Sequence, residues 1–310
     1  MSLSPMKIRV LGSAAGGGFP QWNCNCANCA GLRAGTLRAT ARTQSSIAVC
    51  SDDPLRWVLV NASPDIRAQL LACPDLQPAR ALRDTAIVAV VLVDGQIDHT
   101  TGLVLLREAS TAWPVWCTEA AQADLSQGFP VLELLRHYCG AEPRRIELDR
   151  PFEIPGLTRV TWRALPVLSK PAPYSPHREA PVPGDNVALV IEDAVSGRSL
   201  VYAPGLAAID EPLWQALRAA SSVMVDGTFW SDDEMIRRGV SHKRARDIGH
   251  LPQSGPDGML GWLERLPAAT RKILIHINNT NPILDERSPE RAELERRGVE
   301  VAHDGLEIRL

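Results

Sequence analysis

Apolar residues in this chain fall mostly into short, β-branched runs separated by turn formers, and the runs come in two comparable groups. Lys7 to Leu11 predicts a first strand, followed by a glycine-rich turn from Gly12 to Pro20. Ser45 to Cys50 and Arg56 to Asn61 predict two more strands, joined through Ser51-Asp52-Asp53-Pro54, which is a hairpin signal. Ser63-Pro64-Asp65 reads as a helix start, with Ser63 as N-cap and Pro64 in the first turn, and the helix is expected to reach Leu71. Thr85 to Val93 is almost unbroken in its apolar character, the pattern of a strand buried on both faces. After a polar break, Gly102 to Arg107 has a helical pattern.

The second half repeats this kind of unit. Leu157 to Leu165, Asn186 to Glu192 and Ser199 to Ala203 predict strands, the last two pairing across Ser196-Gly197. Glu211 to Ala220 is helical in period, and Ser222 to Asp226 and Lys272 to His276 predict short buried strands. Pro166 to Asp185 is proline-rich, irregular and long, which predicts an active-site flap rather than a linker. No longer period recurs. The expected architecture is two sheets covered by helices, in one continuous domain over residues 1–310.

With 310 residues, 45% of them hydrophobic, the chain can bury a substantial core. A formal net charge of −3, with Lys and Arg dispersed, argues against nucleic acid as a partner. No run of eighteen apolar residues is present, so no transmembrane helix is expected. Met1 to Val10 lacks the apolar stretch of a signal peptide, and a cytoplasmic location is expected. Cys50, Cys73, Cys117 and Cys139 stand singly among apolar residues, as reduced core cysteines do in that compartment.

The other three of the seven cysteines lie within six residues, Cys24-Asn25-Cys26-Ala27-Asn28-Cys29. Thiolates converge in this way around Zn²⁺, which takes soft sulfur ligands in a tetrahedron, and the fourth corner must come from elsewhere in the chain. A second set of ligand-type residues stands at predicted strand ends: Asp98-His99 beyond Thr85–Val93, Asp226 at the end of Ser222–Asp226, and His276 at the end of Lys272–His276. Strand C-termini on one sheet edge are where α/β folds place ligands, so these four residues predict an oxygen/nitrogen metal site. Gly16-Gly17-Gly18 lacks dinucleotide-binding spacing, and is expected to let the backbone pass close beneath the metal edge.

Asp98-His99-Thr100-Thr101-Gly102 resembles part of the metallo-β-lactamase superfamily motif H-x-H-x-D-H-x-x-G, and the glycine turn with C-x-C-x-x-C resembles its phosphodiesterase-like branch. Leu11 to Gly18, Pro20-Gln21-Trp22-Asn23-Cys24, Arg42 to Val49, Asn61 to Arg67, Asp226-Gly227-Thr228 and His276 to Pro282 are similar to a superfamily branch of pyrroloquinoline quinone (PQQ) biosynthesis. The resemblance covers essentially the whole chain and implies an α/β fold, a four-layer αββα sandwich. In register with H-x-H-x-D-H stand Asp94-Gly95-Gln96-Ile97-Asp98-His99, so the first two histidines, which build the first metal position of dinuclear hydrolases, are replaced.

What remains, Asp98, His99 and His276 with Asp226 at the bridging-carboxylate position, implies one catalytic metal. Two imidazoles and a carboxylate are the set of non-haem Fe²⁺ oxygenases, and Zn²⁺ accepts the same ligands. The resemblance implies iron-dependent hydroxylation of a tyrosine cross-linked to glutamate. The rival expectations are a carrier that moves PQQ or its precursor toward the periplasm, and a zinc hydrolase. It also implies a structural Zn²⁺ on Cys24, Cys26 and Cys29, with Asn279 at the related enzymes' fourth-ligand position, and a proton or substrate role for His250. His242 and His303 are expected on the surface. Lys170, His177 and Arg178 on the flap are expected to orient a carboxylate-bearing substrate. The expected partners are a small PQQ precursor and, at most, a second copy of the chain in a homodimer.

Overall fold

The computed structural model describes residues 5–310. In chain order its strands are β1 (Lys7–Gly12), β2 (Ser46–Cys50), β3 (Trp57–Val60), β4 (Ile87–Val91), β5 (Trp113–Cys117), β6 (Ala141–Arg145), β7 (Pro151–Glu153), β8 (Val160–Pro166), β9 (Val187–Asp193), β10 (Ser199–Ala203), β11 (Ser222–Asp226), β12 (Arg271–Ile275), β13 (Val299–Val301) and β14 (Glu307–Arg309). They form two seven-stranded sheets, ordered β14-β1-β2-β3-β4-β5-β6 and β13-β12-β11-β10-β9-β8-β7. Each sheet is half antiparallel and half parallel: β3 to β6 run parallel in the first, β10 to β13 in the second.

Side-chain alternation builds four layers from these sheets. Successive strand residues point to opposite faces, and here Ile47, Val49, Val58, Val60, Ile273 and Ile275 meet in the core between the sheets. Ala48, Cys50, Trp57 and Leu59 point the other way, into the core under helices 66–72, 102–105 and 131–135. Val223, Val225 and Leu274 face the opposite helical layer, which includes residues 211–219 and 259–264. Both outer and inner faces are covered over the interior parallel strands such as β4 and β11, which is why those are almost wholly apolar. The fold is the αββα sandwich that the sequence resembles. No helix among the described residues is long and apolar enough to cross a membrane.

The predicted hairpins form, with Cys50 opposite Trp57 and Glu192 opposite Ser199. Several details differ. The helix expected from Ser63 starts at Ile66, with Asp65 rather than Ser63 before it, and the Asp65 carboxylate accepts from the Gln44 backbone N–H at 2.9 Å. Ser63 Oγ instead accepts from Asp65 N–H in the preceding turn. The Gly102–Arg107 pattern divides into a helical turn Gly102–Leu105 and a 3₁₀ turn Leu106–Glu108, and a separate helical turn Ile97–Thr100 precedes it.

Candidate metal centre

Residues 94–99 are shaped before any metal is considered. Asp94 Oδ1 accepts the Gln96 N–H at 2.9 Å, which starts the short helix carrying Asp98 and His99. That helix is latched to the exit of β3: Ala62 N–H donates to the His99 carbonyl at 2.7 Å, and Gly102 N–H to the Ala62 carbonyl at 2.8 Å. Gly102 is required there, because a Cβ would stand 2.3 Å from the Ser63 carbonyl oxygen. His276 follows β12 with φ of 61°, in the left-handed region that non-glycine residues seldom adopt. The glycine turn packs on the same edge, and a Cβ on Gly16 would lie 3.2 Å from Asp98 Oδ2.

The side chains of Asp98, His99 and His276 converge, with ligand atoms all within 4.8 Å of one another. Asp98 Oδ2 lies 3.3 Å from His276 Nε2 and 3.9 Å from His99 Nε2. Each imidazole is held by its other nitrogen. His99 Nδ1–H donates to both Asp94 oxygens, at 2.8 and 2.9 Å, and His276 Nδ1–H donates to Thr228 Oγ1 at 2.9 Å. His99 Nε2 is buried and has no hydrogen-bond partner. A buried, unpartnered ring nitrogen facing a carboxylate and a second imidazole suits a divalent cation, and holding Nδ1 through a carboxylate or hydroxyl is how metal-bound histidines are oriented. Charge agrees. Burial works against the imidazolium of His99, yet Asp94 and Asp98 outweigh it and raise its pKa to about 9. Burial likewise opposes ionisation of Asp98, but His99 and His276 hold it well below the carboxylate range.

Asp226, His250 and His276 form a second group that shares His276. Asp226 stands in the group with His250, on the other side of the shared His276 from Asp98 and His99. Its Oδ1 accepts from Thr228 N–H at 2.9 Å and Oγ1–H at 2.6 Å, and its Oδ2 from Leu206 N–H at 3.1 Å and His250 Nδ1–H at 2.7 Å. Burial opposes its charge, but His250, His276 and Thr228 together keep its pKa lowered. Asp226 thus supports His276 through Thr228. The His250 ring stacks on His276 with centroids 5.5 Å apart.

The thiols of Cys24, Cys26 and Cys29 also lie within 4.8 Å of one another, at the start of helix Ala27–Arg33. The Asn279 side-chain amide faces all three, at 3.1 Å from Cys24 Sγ, 3.4 Å from Cys29 Sγ and 3.6 Å from Cys26 Sγ. Asn28 fixes that segment by donating to the Asn279 and Asn281 carbonyls at 3.0 and 2.9 Å. Burial, then the neighbouring thiols, push Cys26 up to about 11, whereas hydrogen bonds with Cys26, Cys29 and Asn279 outweigh burial and lower Cys24. Cys50, Cys73, Cys117 and Cys139 are free, and the first three are buried.

Residues at the remaining predicted positions are distributed as follows. Asp94 serves His99, and Gln96 Nε2 donates to the Lys170 carbonyl at 3.1 Å, which brings the 166–185 segment against the metal edge. In that segment His177 Nδ1 pairs with Asp185 at 2.9 Å and Arg178 Nη1 donates to the Pro171 carbonyl, so each has one partner within the segment. His242 and His303 are exposed. Thr228 carried no assignment in the sequence, although it stands two residues beyond Asp226; a hydroxyl there is the signal for a bridge to a neighbouring ligand.

The family model for a beta-lactamase superfamily domain matches residues 56–277. Coenzyme PQQ synthesis protein B of Azoarcus sp. (strain BH72) is 62% identical over 305 residues, covering 98% of this chain and 100% of that protein. The protein of the same name from Pseudomonas fluorescens (strain SBW25) is 59% identical over 306 residues, with 98% and 100% covered. The crystal structure of Zn²⁺-bound PqqB from Methylobacterium extorquens superposes with a TM-score of 0.89 at 38% identity, over 98% of this chain and 100% of that one. With a shared fold, near-complete coverage and this level of identity, the chain belongs to the coenzyme PQQ synthesis protein B family of the beta-lactamase superfamily.

Proposed function

We propose that this protein is a hydroxylase of PQQ biosynthesis that holds one Fe²⁺ on Asp98, His99 and His276 and acts on a tyrosine cross-linked to glutamate. The observation that carries the reading is the use of residues 94 and 96. At the positions of the superfamily's first two motif histidines, Asp94 is engaged by His99 Nδ1 and Gln96 by the Lys170 carbonyl, which leaves one metal position served rather than two. Fe²⁺ at that position would supply the activation of O₂ that hydroxylation requires.

The chain's own residues then have separate tasks. Asp94 and Thr228 fix the imidazoles so that both Nε2 atoms face the metal position, and Asp226 anchors Thr228. His250, with Nδ1 on Asp226, presents Nε2 for proton exchange with substrate. Cys24, Cys26, Cys29 and Asn279 are assigned a structural Zn²⁺, a reading supported by the convergence of the three thiols on the Asn279 amide.

The test is O₂ uptake by protein loaded with Fe²⁺ under anaerobic conditions and given the cross-linked tyrosine–glutamate compound. Uptake matched by oxygen incorporation from labelled O₂ is expected. Product formation with Zn²⁺ and no O₂ would replace this reading with a hydrolase. Tight binding of PQQ or its precursor without metal-dependent turnover would replace it with a carrier.

A further inference from the structure

The segment 166–185 carries three cationic or ionisable side chains near the metal edge, and two are engaged within the segment, His177 by Asp185 and Arg178 by the Pro171 carbonyl. Lys170 is placed differently. Its carbonyl accepts from Gln96 Nε2 at 3.1 Å, on the side that delivers Asp98 and His99. Its backbone N–H packs against Gly249, the residue before His250, so closely that a Cβ on Gly249 would stand 2.6 Å from it. The neighbouring Ser169 Oγ–H donates to the Gly249 carbonyl at 2.8 Å and closes the same contact. Residue 170 is therefore pinned between the two loops that bring His99 and His250 to the site. Its side chain is exposed, and among the described residues no acceptor engages its ammonium.

The electrostatics of the edge give this position a role. Asp94 and Asp98 flank His99 and Asp226 backs His276 through Thr228, so three buried or half-buried carboxylates surround the two imidazoles and repel an anionic ligand wherever the imidazoles and a cation do not balance them. A free ammonium on a four-carbon stem, held at a fixed backbone point on the rim, supplies attraction where it is needed. We propose that Lys170 is the anchoring residue for a carboxylate of the substrate. This rests on the reading above that the substrate derives from glutamate and tyrosine and so carries carboxylates.

The experiment measures calorimetric binding to the metal-loaded, full-length protein. The probes are the free acid of the cross-linked tyrosine–glutamate compound, its methyl ester and glutarate. Lys170→Ala is expected to weaken binding of the free acid about tenfold to hundredfold, as for loss of a charge-assisted hydrogen bond. Lys170→Arg should restore most of that loss. The ester should bind the parent and Lys170→Ala equally, a result that a merely structural role for Lys170 does not produce. Metal content and melting temperature should be unchanged in both variants. Equal affinity of the parent and Lys170→Ala for the free acid overturns the anchor, and so does a parent protein that binds neither the free acid nor glutarate. Lys170-dependent binding without O₂ uptake keeps the anchor and removes the hydroxylase reading, so the two failures are distinguishable.

Discussion

Asp94 replaces a superfamily metal ligand yet reaches the centre only through His99, and its removal tests that arrangement directly. Both carboxylate oxygens lie on His99 Nδ1, at 2.8 and 2.9 Å, and Oδ1 also takes the Gln96 N–H at 2.9 Å. Asp94→Ala leaves both donors without an acceptor, and each such loss costs about 1–3 kcal/mol when the group is buried. Loss of an outer-shell partner of a metal-bound histidine typically lowers metal affinity about 10–100-fold, which is roughly 1.4–2.8 kcal/mol. Only the His99 loss bears on the metal, and its magnitude matches that range, so Asp94→Ala should fall near the hundredfold end. Asp94→Asn keeps the shape and one acceptor oxygen and should lose only about tenfold. Competition against a chromogenic chelator, on protein whose thiol cluster is already filled, reads these constants. Affinity of Asp94→Ala indistinguishable from the parent would refute the orienting role. Loss of a whole metal equivalent from a pair beside His99 would make Asp94 a ligand and the centre dinuclear.

Substituting Cys26→Ser should lower zinc content and melting temperature together, since a thiolate-bound metal stabilises only the folded chain; metal analysis beside a thermal melt checks this. His276→Ala should empty the Asp98–His99 centre and leave the thiol-bound metal in place, so the metal count falls without loss of zinc. Glu234→Gln should flatten the dependence of stability on pH. Burial raises Glu234 from its ordinary 4.5 to about 7, against the hydrogen bonds from Thr280 Oγ1–H and Trp230 N–H. A raised carboxyl pKa stabilises the fold fully below the unfolded value and loses that contribution as pH climbs toward the folded one, here at most about 3 kcal/mol. Urea unfolding at about pH 5 and about pH 8 should show that loss in the parent and not in Glu234→Gln; parallel profiles would refute it.

Strands escaped the sequence in a definite pattern. β6, β7, β13 and β14 are the four sheet edges, and none was predicted. Ala141-Glu142-Pro143-Arg144-Arg145 shows why: one face needs no burial, and charge and proline, which protect an edge from further pairing, erase the apolar alternation. β5 was also missed, with Pro114 interrupting its apolar run. Interior strands such as Ser222–Asp226 and Ser199–Ala203 were legible to the residue because both faces are covered. At the site, ligand-type residues were visible because strands end on them. Their hierarchy was not, since it depends on which hydrogen bonds claim a carboxylate first. Asp226 groups with His250 and His276, and its oxygens also accept from Thr228, Leu206 and His250, a set of partners that the chain alone does not reveal. In the irregular segment 166–185, the prolines signal only the lack of a sheet, and the internal pairing of His177 and Arg178 is not legible in the chain.

His276 and Asn279 lie three residues apart, one facing Asp98 and the other facing the three thiols. With a metal at both centres, this short stretch would give their affinities a route to thermodynamic linkage. Order imposed on residues 276–279 by one ion lowers the entropic cost of binding the other, and the effect must be equal in both directions. Couplings of this kind typically amount to about 1–3 kcal/mol, or roughly five- to 150-fold in affinity. Stripping the thiol-bound ion would then loosen the other centre as well, and metal occupancy measured after partial chelation would report a joint equilibrium rather than two independent ones.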